Sequence, residues 1–245
     1  MTSSSLRLPK VIGHRGTPKR APENTVAGFA LAAEAGVTWV ELDVQLSADL
    51  VPVVFHDDRL ERTSTGTGSI TERDYAYLRD LDVGGWFSPQ FAGERLPHWD
   101  KVLDLLIERR LGVNIEIKAN DARGAVTAEI GLKHALAKWP DDLAPPLVTS
   151  FSRSAIEMAR QAAPHWPRGL VSDPWPEDWR EVCARDGCAT LHISHTSLTP
   201  ERVAMAKQAG LAVLAYTVNE PEAAAKLWEW GVDSVFSDRP ELLLG

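Results

Sequence analysis

A chain of 245 residues that is 44% hydrophobic can bury a substantial core, and its length suits one large α/β domain or two small ones. Its formal charge of −8 sets the long-range field against nucleic acid and anionic membrane, so neither is expected as a partner. Its two cysteines, Cys183 and Cys188, make no disulfide framework and are a poor metal site on their own.

The first ten residues carry no apolar signal-like run, and no stretch reaches the length of a membrane span. The expectation is a soluble, cytoplasmic protein. From there, Val- and Ile-rich runs alternate with helical patterns. Strands are expected at Lys10–His14, Val37–Val44, Val113–Lys118, Leu147–Phe151, Arg168–Val171, Thr190–Ser194, Ala212–Val218 and Ser234–Ser237. Helical periodicity covers Thr25–Ala35, Trp99–Arg110, Ala122–Lys138, Arg153–Ala163, Pro176–Arg185, Pro200–Ala209 and Glu220–Trp230. Gly36, Gly112, Gly187, Gly210 and Gly231 stand just past helix ends, where a left-handed residue commonly stops a helix.

This alternation predicts a (β/α)8 TIM barrel. An open doubly wound sheet would usually place a Gly-rich dinucleotide turn after the first strand, and His14-Arg15-Gly16 does not make one. The segment between Val44 and Val53 is too short for a crossover helix, so an antiparallel hairpin is expected, turning near Ser47–Asp49. That turn would bring His56 across from Glu41 and Asp43. The chain therefore reads as a single domain, 1–245, with a small insertion after the second strand forming a cap over 47–97.

Polar residues interrupt the apolar strands at a few places. Glu41 and Asp43 lie two apart on one strand and share a face, and Glu116 falls on the neighbouring strand. Buried carboxylates need a partner, and three converging on one rim make an all-oxygen site suited to Mg²⁺ or Ca²⁺. His14 and His56 can supply an acid and a base near neutral pH. The order of roles is open, although the place of His56 on the insertion hairpin favours it as the acid. Arg15, as a planar fork, and Lys118, as a point charge, suit the non-bridging oxygens of a phosphate. Trp86-Phe87 is the aromatic pair expected near a ligand. Thr65-Gly-Thr-Gly68 reads as a plain turn, and of the other histidines only His192 is expected to point into the barrel mouth.

These motifs resemble the glycerophosphodiester phosphodiesterase family over nearly the whole chain. They are His14-Arg15-Gly16, Pro22-Glu23-Asn24-Thr25, Glu41-Leu-Asp43-Val, His56-Asp57, Gly85-Trp86-Phe87, Asn114-Ile-Glu116-Ile-Lys118, Tyr216-Thr-Val-Asn219 and Phe236-Ser-Asp238-Arg-Pro240. The resemblance implies a β/α barrel with an insertion after the second strand, and a small glycerophosphodiester as substrate. It implies that Glu41, Asp43 and Glu116 bind a divalent metal, that His14 and His56 are general acid and base, and that Arg15 and Lys118 hold the phosphate. Glu23 would orient the His14-Arg15 loop. Tyr216 stands where members often have Trp, and Ser237 where Thr is usual, which leaves the alcohol or glycerol contacts open.

Two other readings compete. A related barrel phospholipase would be expected to show secretion or disulfides, and neither signal is present. A non-catalytic phosphoryl-ligand-binding module would have lost a histidine or a metal carboxylate, and none is missing. The sequence leaves the oligomeric state open, a homodimer included.

Overall fold

The computed structural model describes residues 6–119 and 121–244. Nine strands are present among them: β1 (Val11–Gly13), β2 (Trp39–Leu46), β3 (Pro52–Val54), β4 (Gly112–Ile117), β5 (Leu147–Ser150), β6 (Arg168–Ser172), β7 (Thr190–Ser194), β8 (Ala212–Tyr216) and β9 (Ser234–Ser237). Eight run parallel, and β1 closes the circle by pairing with β9 at Val11↔Val235 and with β2 at Gly13↔Val40. The helices are α1 (Val26–Glu34), α2 (Tyr75–Leu78), α3 (Trp99–Glu108), α4 (Asp121–Lys138), α5 (Arg153–Ala162), α6 (Trp179–Asp186), α7 (Pro200–Gln208) and α8 (Pro221–Glu229). The fold is the (β/α)8 barrel that the alternation predicted.

Burial explains why the strand runs are so uniformly apolar. Helices cover the outside of a parallel barrel and side chains fill its interior, so both faces of each strand are dry. All eight residues of β2 are buried. Inside, Ile12, Trp39, Leu147, Leu214 and Phe236 plug the barrel. Outside, α1, α3, α4 and α5 pack on one half of the wall around Phe29, Leu103 and Ile115, and α6 to α8 pack on the other around Leu191, Val203 and Val213. Helix starts follow local rules: Thr25, Ser152 and Thr199 each accept a backbone N–H of the first turn. No helix among the described residues is long and apolar enough to cross a membrane.

The hairpin forms as expected. Val44, Gln45 and Leu46 of β2 face Val54, Val53 and Pro52 of β3, and Ser47 Oγ closes the turn by accepting the Val51 N–H at 2.9 Å. The segment that follows has its own small core of Val53, Phe55, Leu60, Ile70, Leu78, Leu81, Val83 and Leu96. The Thr65–Gly68 stretch, expected as a turn, is irregular backbone that follows a turn over 61–63, with the Gly68 N–H on Glu61 Oε1. Cys183 lies buried on α6 and Cys188 just beyond it, both as free thiols.

One glycine departs from its expected role. Gly36, Gly187, Gly210 and Gly231 take positive φ past helix ends, but after α3 the left-handed residue is Arg110, at φ 53°. Gly112 instead opens β4, where a Cβ would lie 2.2 Å from the Trp39 ring. It is a glycine because the indole plugging the barrel occupies that space. Gly112→Ala should therefore lower stability by about 1–3 kcal/mol, the usual cost of overpacking. A denaturant midpoint unchanged at constant slope would contradict this.

Candidate active site

The β1–α1 loop sets the first groups in place. Arg15 is left-handed (φ 50°) and Gly16 follows at φ 94°, so the chain folds back on itself immediately after His14. The same loop leaves Gly13 no room for a side chain, since a Cβ would sit 2.4 Å from Gly16 O. This turn aims the Arg15 N–H at Glu41 Oε2, 2.9 Å away. Asn24, also left-handed (φ 56°), gives its amide to Asp43 Oδ2 at 2.7 Å. Strained positions of this kind cluster where a site must be held in one shape.

Glu41, Asp43 and Glu116 meet at the mouth. One oxygen from each lies within 4.8 Å of the others, and all three carboxyls are nearly or largely buried. Strand alternation puts Glu41 and Asp43 on the inner face, and the register Asp43↔Glu116 sets the third beside them. Burial, then the charge of Asp43, pushes the Glu116 carboxyl up to about 7. Burial with Asp43 and Glu116 carries Glu41 well above its usual range. Burial also works against ionised Asp43, yet Arg15, His56, Lys118 and Asn24 together keep its pKa low. Glu116 Oε1 has no hydrogen-bond partner apart from the Lys118 ammonium, 3.3 Å away. A buried, crowded, under-satisfied set of carboxylates is what a hard cation requires, so the donors fit a divalent metal.

The cations stand on either side. Arg15 Nε lies 3.4 Å from Asp43 Oδ2, and its Nη1 donates to Glu23 Oε1 at 2.8 Å. Burial disfavours the Lys118 ammonium, but Glu116 and Asp43 hold its pKa above the ordinary value. Lys118 also sits 5.5 Å over the Phe151 ring.

Each histidine is held the same way. His14 Nδ1 bonds Asp238 Oδ1 at 2.7 Å, and its Nε2 points inward, 3.9 Å from Glu41 Oε2. Asp238 is fixed in turn by Asn219, which accepts its N–H at 2.8 Å and donates to Oδ2 at 3.2 Å. The Ser237 hydroxyl bonds the same Asn219 at 3.2 Å, so serine at this position keeps a contact a threonine hydroxyl can make. His56 Nδ1 bonds Asp57 Oδ1 at 2.5 Å. Buried Gln45 donates its amide to the carbonyls of Phe55, His56 and Asp57, which pins the backbone that carries His56. Desolvation is the largest influence on His56 and lowers its pKa.

Together these groups line a cavity of about 290 Å3 that contains His14, Arg15, Glu41, His56, Glu116 and Lys118. Phe151, Val171, Tyr216 and Phe236 form its apolar side. His192 reaches it as expected; it is fully buried, bonds Thr190 Oγ1 at 2.9 Å, and desolvation lowers its pKa to about 3. Trp86 is placed differently. It lines an outer groove of about 430 Å3 that shares His14 and Arg15 with the mouth cavity and includes Lys19, Phe87 and Asp238. Residues that sequence reasoning passed over are Gln45, Phe151 and Arg62, together with the roles of Asp57, Asn114, Asp238 and Asn219.

The glycerophosphoryl diester phosphodiesterase family profile matches residues 14–242. A glycerophosphodiester phosphodiesterase of Caldanaerobacter subterraneus subsp. tengcongensis is 32% identical over 242 residues, which is 96% of each chain. Among solved structures, an Oleispira antarctica phosphodiesterase in complex with the product sn-glycerol-3-phosphate matches with a TM-score of 0.93 and 38% identity, over 96% of this chain and 95% of that one. A glycerophosphodiester phosphodiesterase from Agrobacterium tumefaciens matches with a TM-score of 0.78 and 30% identity, over 96% and 99%. The chain therefore belongs to the glycerophosphoryl diester phosphodiesterase family, and is an enzyme of the phosphoric diester hydrolase class.

Proposed function

We propose that this enzyme hydrolyses glycerophosphodiesters such as glycerophosphocholine or glycerophosphoethanolamine to sn-glycerol 3-phosphate and the free alcohol. Glu41, Asp43 and Glu116 would hold the divalent metal, Mg²⁺ or Ca²⁺. The observation that carries the reading is two imidazoles, each with Nδ1 on a carboxylate, beside one buried carboxylate cluster and two cations. The relative whose structure holds sn-glycerol-3-phosphate supports the same product.

When bound, the metal supplies positive charge to the phosphoryl oxygens and orients them. Arg15 and Lys118 add charge to the non-bridging oxygens from either side. With Nδ1 of each histidine committed to a carboxylate, Nε2 is left to exchange a proton with the substrate. One imidazole takes the proton of the nucleophile, water or the glycerol 2-hydroxyl, and the other protonates the departing alkoxide. The sequence favoured His56 as the acid. Burial lowers its pKa, however, so the free enzyme holds it neutral near pH 7, the form a base needs. A cation beside Asp43 would cancel the main influence opposing that shift. We therefore assign His56 as base and His14 as acid, and the segment 47–97 as a cap that brings the base to the mouth.

The roles separate experimentally. His14→Ala and His56→Ala should each cost about 10²–10⁴ in kcat. A p-nitrophenyl ester needs no acid, so it should restore turnover to His14→Ala and not to His56→Ala. In the parent, the ascending limb of kcat/KM should fall at a pH below the ordinary imidazole value of about 6.5. Rescue of both variants, or of neither, would contradict the division.

Metal dependence gives a second test. EDTA should abolish activity, and Mg²⁺, Mn²⁺ or Ca²⁺ should restore it; full activity after stripping would sink the metal site. The stability of the stripped protein carries a sign. The Glu116 carboxyl is raised from 4.5 to about 7, so its stabilising contribution is complete below 4.5 and lost as pH rises through 7. Metal-free protein should therefore melt lower at pH 8 than at pH 5, and added metal should close the gap. Equal melting temperatures at both pH values would count against crowded carboxylates.

The outer groove is the proposed seat of the head-group alcohol, since it opens from His14, the acid. Trp86→Ala should raise KM and reorder preference among alcohols more than it lowers kcat. An unchanged ranking across a panel of glycerophosphodiesters would make Trp86 a packing residue.

A further inference from the structure

Arg62 lies in the inserted segment, outside every regular element, and its side chain is 47% exposed. Such a residue is ordinarily a surface ion-pair partner worth about 0–1 kcal/mol. Its contacts set it apart. Nε and Nη2 donate to both oxygens of Asp57 at 2.5 and 2.9 Å, while Nη1 and Nη2 donate to both oxygens of Glu23 at 2.9 and 2.7 Å. One guanidinium thus spans two carboxylates, and each of those carboxylates already holds a site residue. Asp57 Oδ1 bonds His56 Nδ1, and Glu23 Oε1 bonds Arg15 Nη1 at 2.8 Å.

We propose that Arg62 is a positioning residue that locks the base His56 and the phosphate-binding Arg15 into one network across the seam between cap and barrel. The proposal rests on the catalytic reading of His56 given above. Its physical content is geometric. Without Arg62, Asp57 and Glu23 would face one another as two carboxylates sharing only His56 and Arg15. Their mutual repulsion would turn Asp57 away from Nδ1, and Glu23, left with Arg15 as its cation, would pull the Arg15 fork out of the mouth. The low pKa values of Asp57, at about 2, and of Glu23 agree with both being held ionised by Arg62, against the cost of burial. Only a planar fork bonds both oxygens of both partners at once; a lysine ammonium is a point charge with three donors and cannot reproduce the four bonds.

The test uses the metal-loaded enzyme and the variants Arg62→Ala and Arg62→Lys. Arg62→Ala should lose about 10–100-fold in kcat, the scale seen when a group orienting a site residue is removed. Arg62→Lys should stay impaired although charge is conserved, and free guanidinium should restore Arg62→Ala in a saturable way. That rescue requires a folded protein, so it separates lost positioning from lost folding. The ¹⁵N signals of the His56 ring provide a readout independent of turnover: Nδ1–H in the parent, mixed tautomers in Arg62→Ala. Ring signals left as in the parent, or Arg62→Lys with parental kcat, would overturn the proposal. His56→Ala run in parallel distinguishes the two levels. If it keeps parental kcat, the catalytic reading has failed, and the ring signals alone then decide whether Arg62 positions His56.

Discussion

Three largely buried carboxylates within reach of one ion, at the mouth of the barrel, dominate this structure. Charges so close and so buried cannot all remain ionised without compensation. Much of the surrounding architecture supplies it: a backbone N–H turned inward by a left-handed Arg15, an amide from a left-handed Asn24, and the side chains of Arg15 and Lys118. These groups reduce the imbalance without removing it, since Glu41 and Glu116 still titrate above their usual range. The remainder is what a divalent cation would neutralise.

The barrel makes such a site affordable. Its stability resides in the interior plug around Trp39 and Phe236 and in the helix-covered outer faces of the strands. The mouth can then carry strained backbone and unsatisfied oxygens without endangering the fold. Two-residue alternation along β2 and β4 delivers Glu41, Asp43, Glu116 and Lys118 to one rim, so two short stretches on neighbouring strands build most of the charged centre.

That economy explains which parts were legible from sequence. The strands showed because both faces are dry, leaving near-continuous Val and Ile runs, and the site carboxylates showed because they break those runs. Gly112 was misread because a glycine after a helix looks the same whether it serves as a left-handed stop or leaves room for an indole from a neighbouring strand. The groups that orient the histidines were hidden for another reason. Asp238 meets His14 from the far end of the chain, and Arg62 meets Glu23 across the inserted segment. Neither contact follows from periodicity or local spacing; both exist only once the barrel has closed and the hairpin has turned. Gln45 is intermediate: its place on the inner face of β2 was readable, but not that three successive carbonyls would converge on its amide.

The two imidazoles share a design and differ in surroundings. His14 belongs to the barrel: its carboxylate partner comes from the end of β9, and its Nε2 lies near Glu41. His56 comes from the insertion, with its carboxylate next in sequence and two cations, Arg15 and Lys118, working with burial to keep it neutral. One imidazole is built into the barrel frame and the other is carried on the inserted segment, so the two are not equivalent. His56 stands at the mouth beside a seam between the inserted segment and the barrel, which the Arg62 guanidinium crosses to reach Glu23. The carboxylates that hold His56 and Arg15, Asp57 and Glu23, are thus the same two that Arg62 joins.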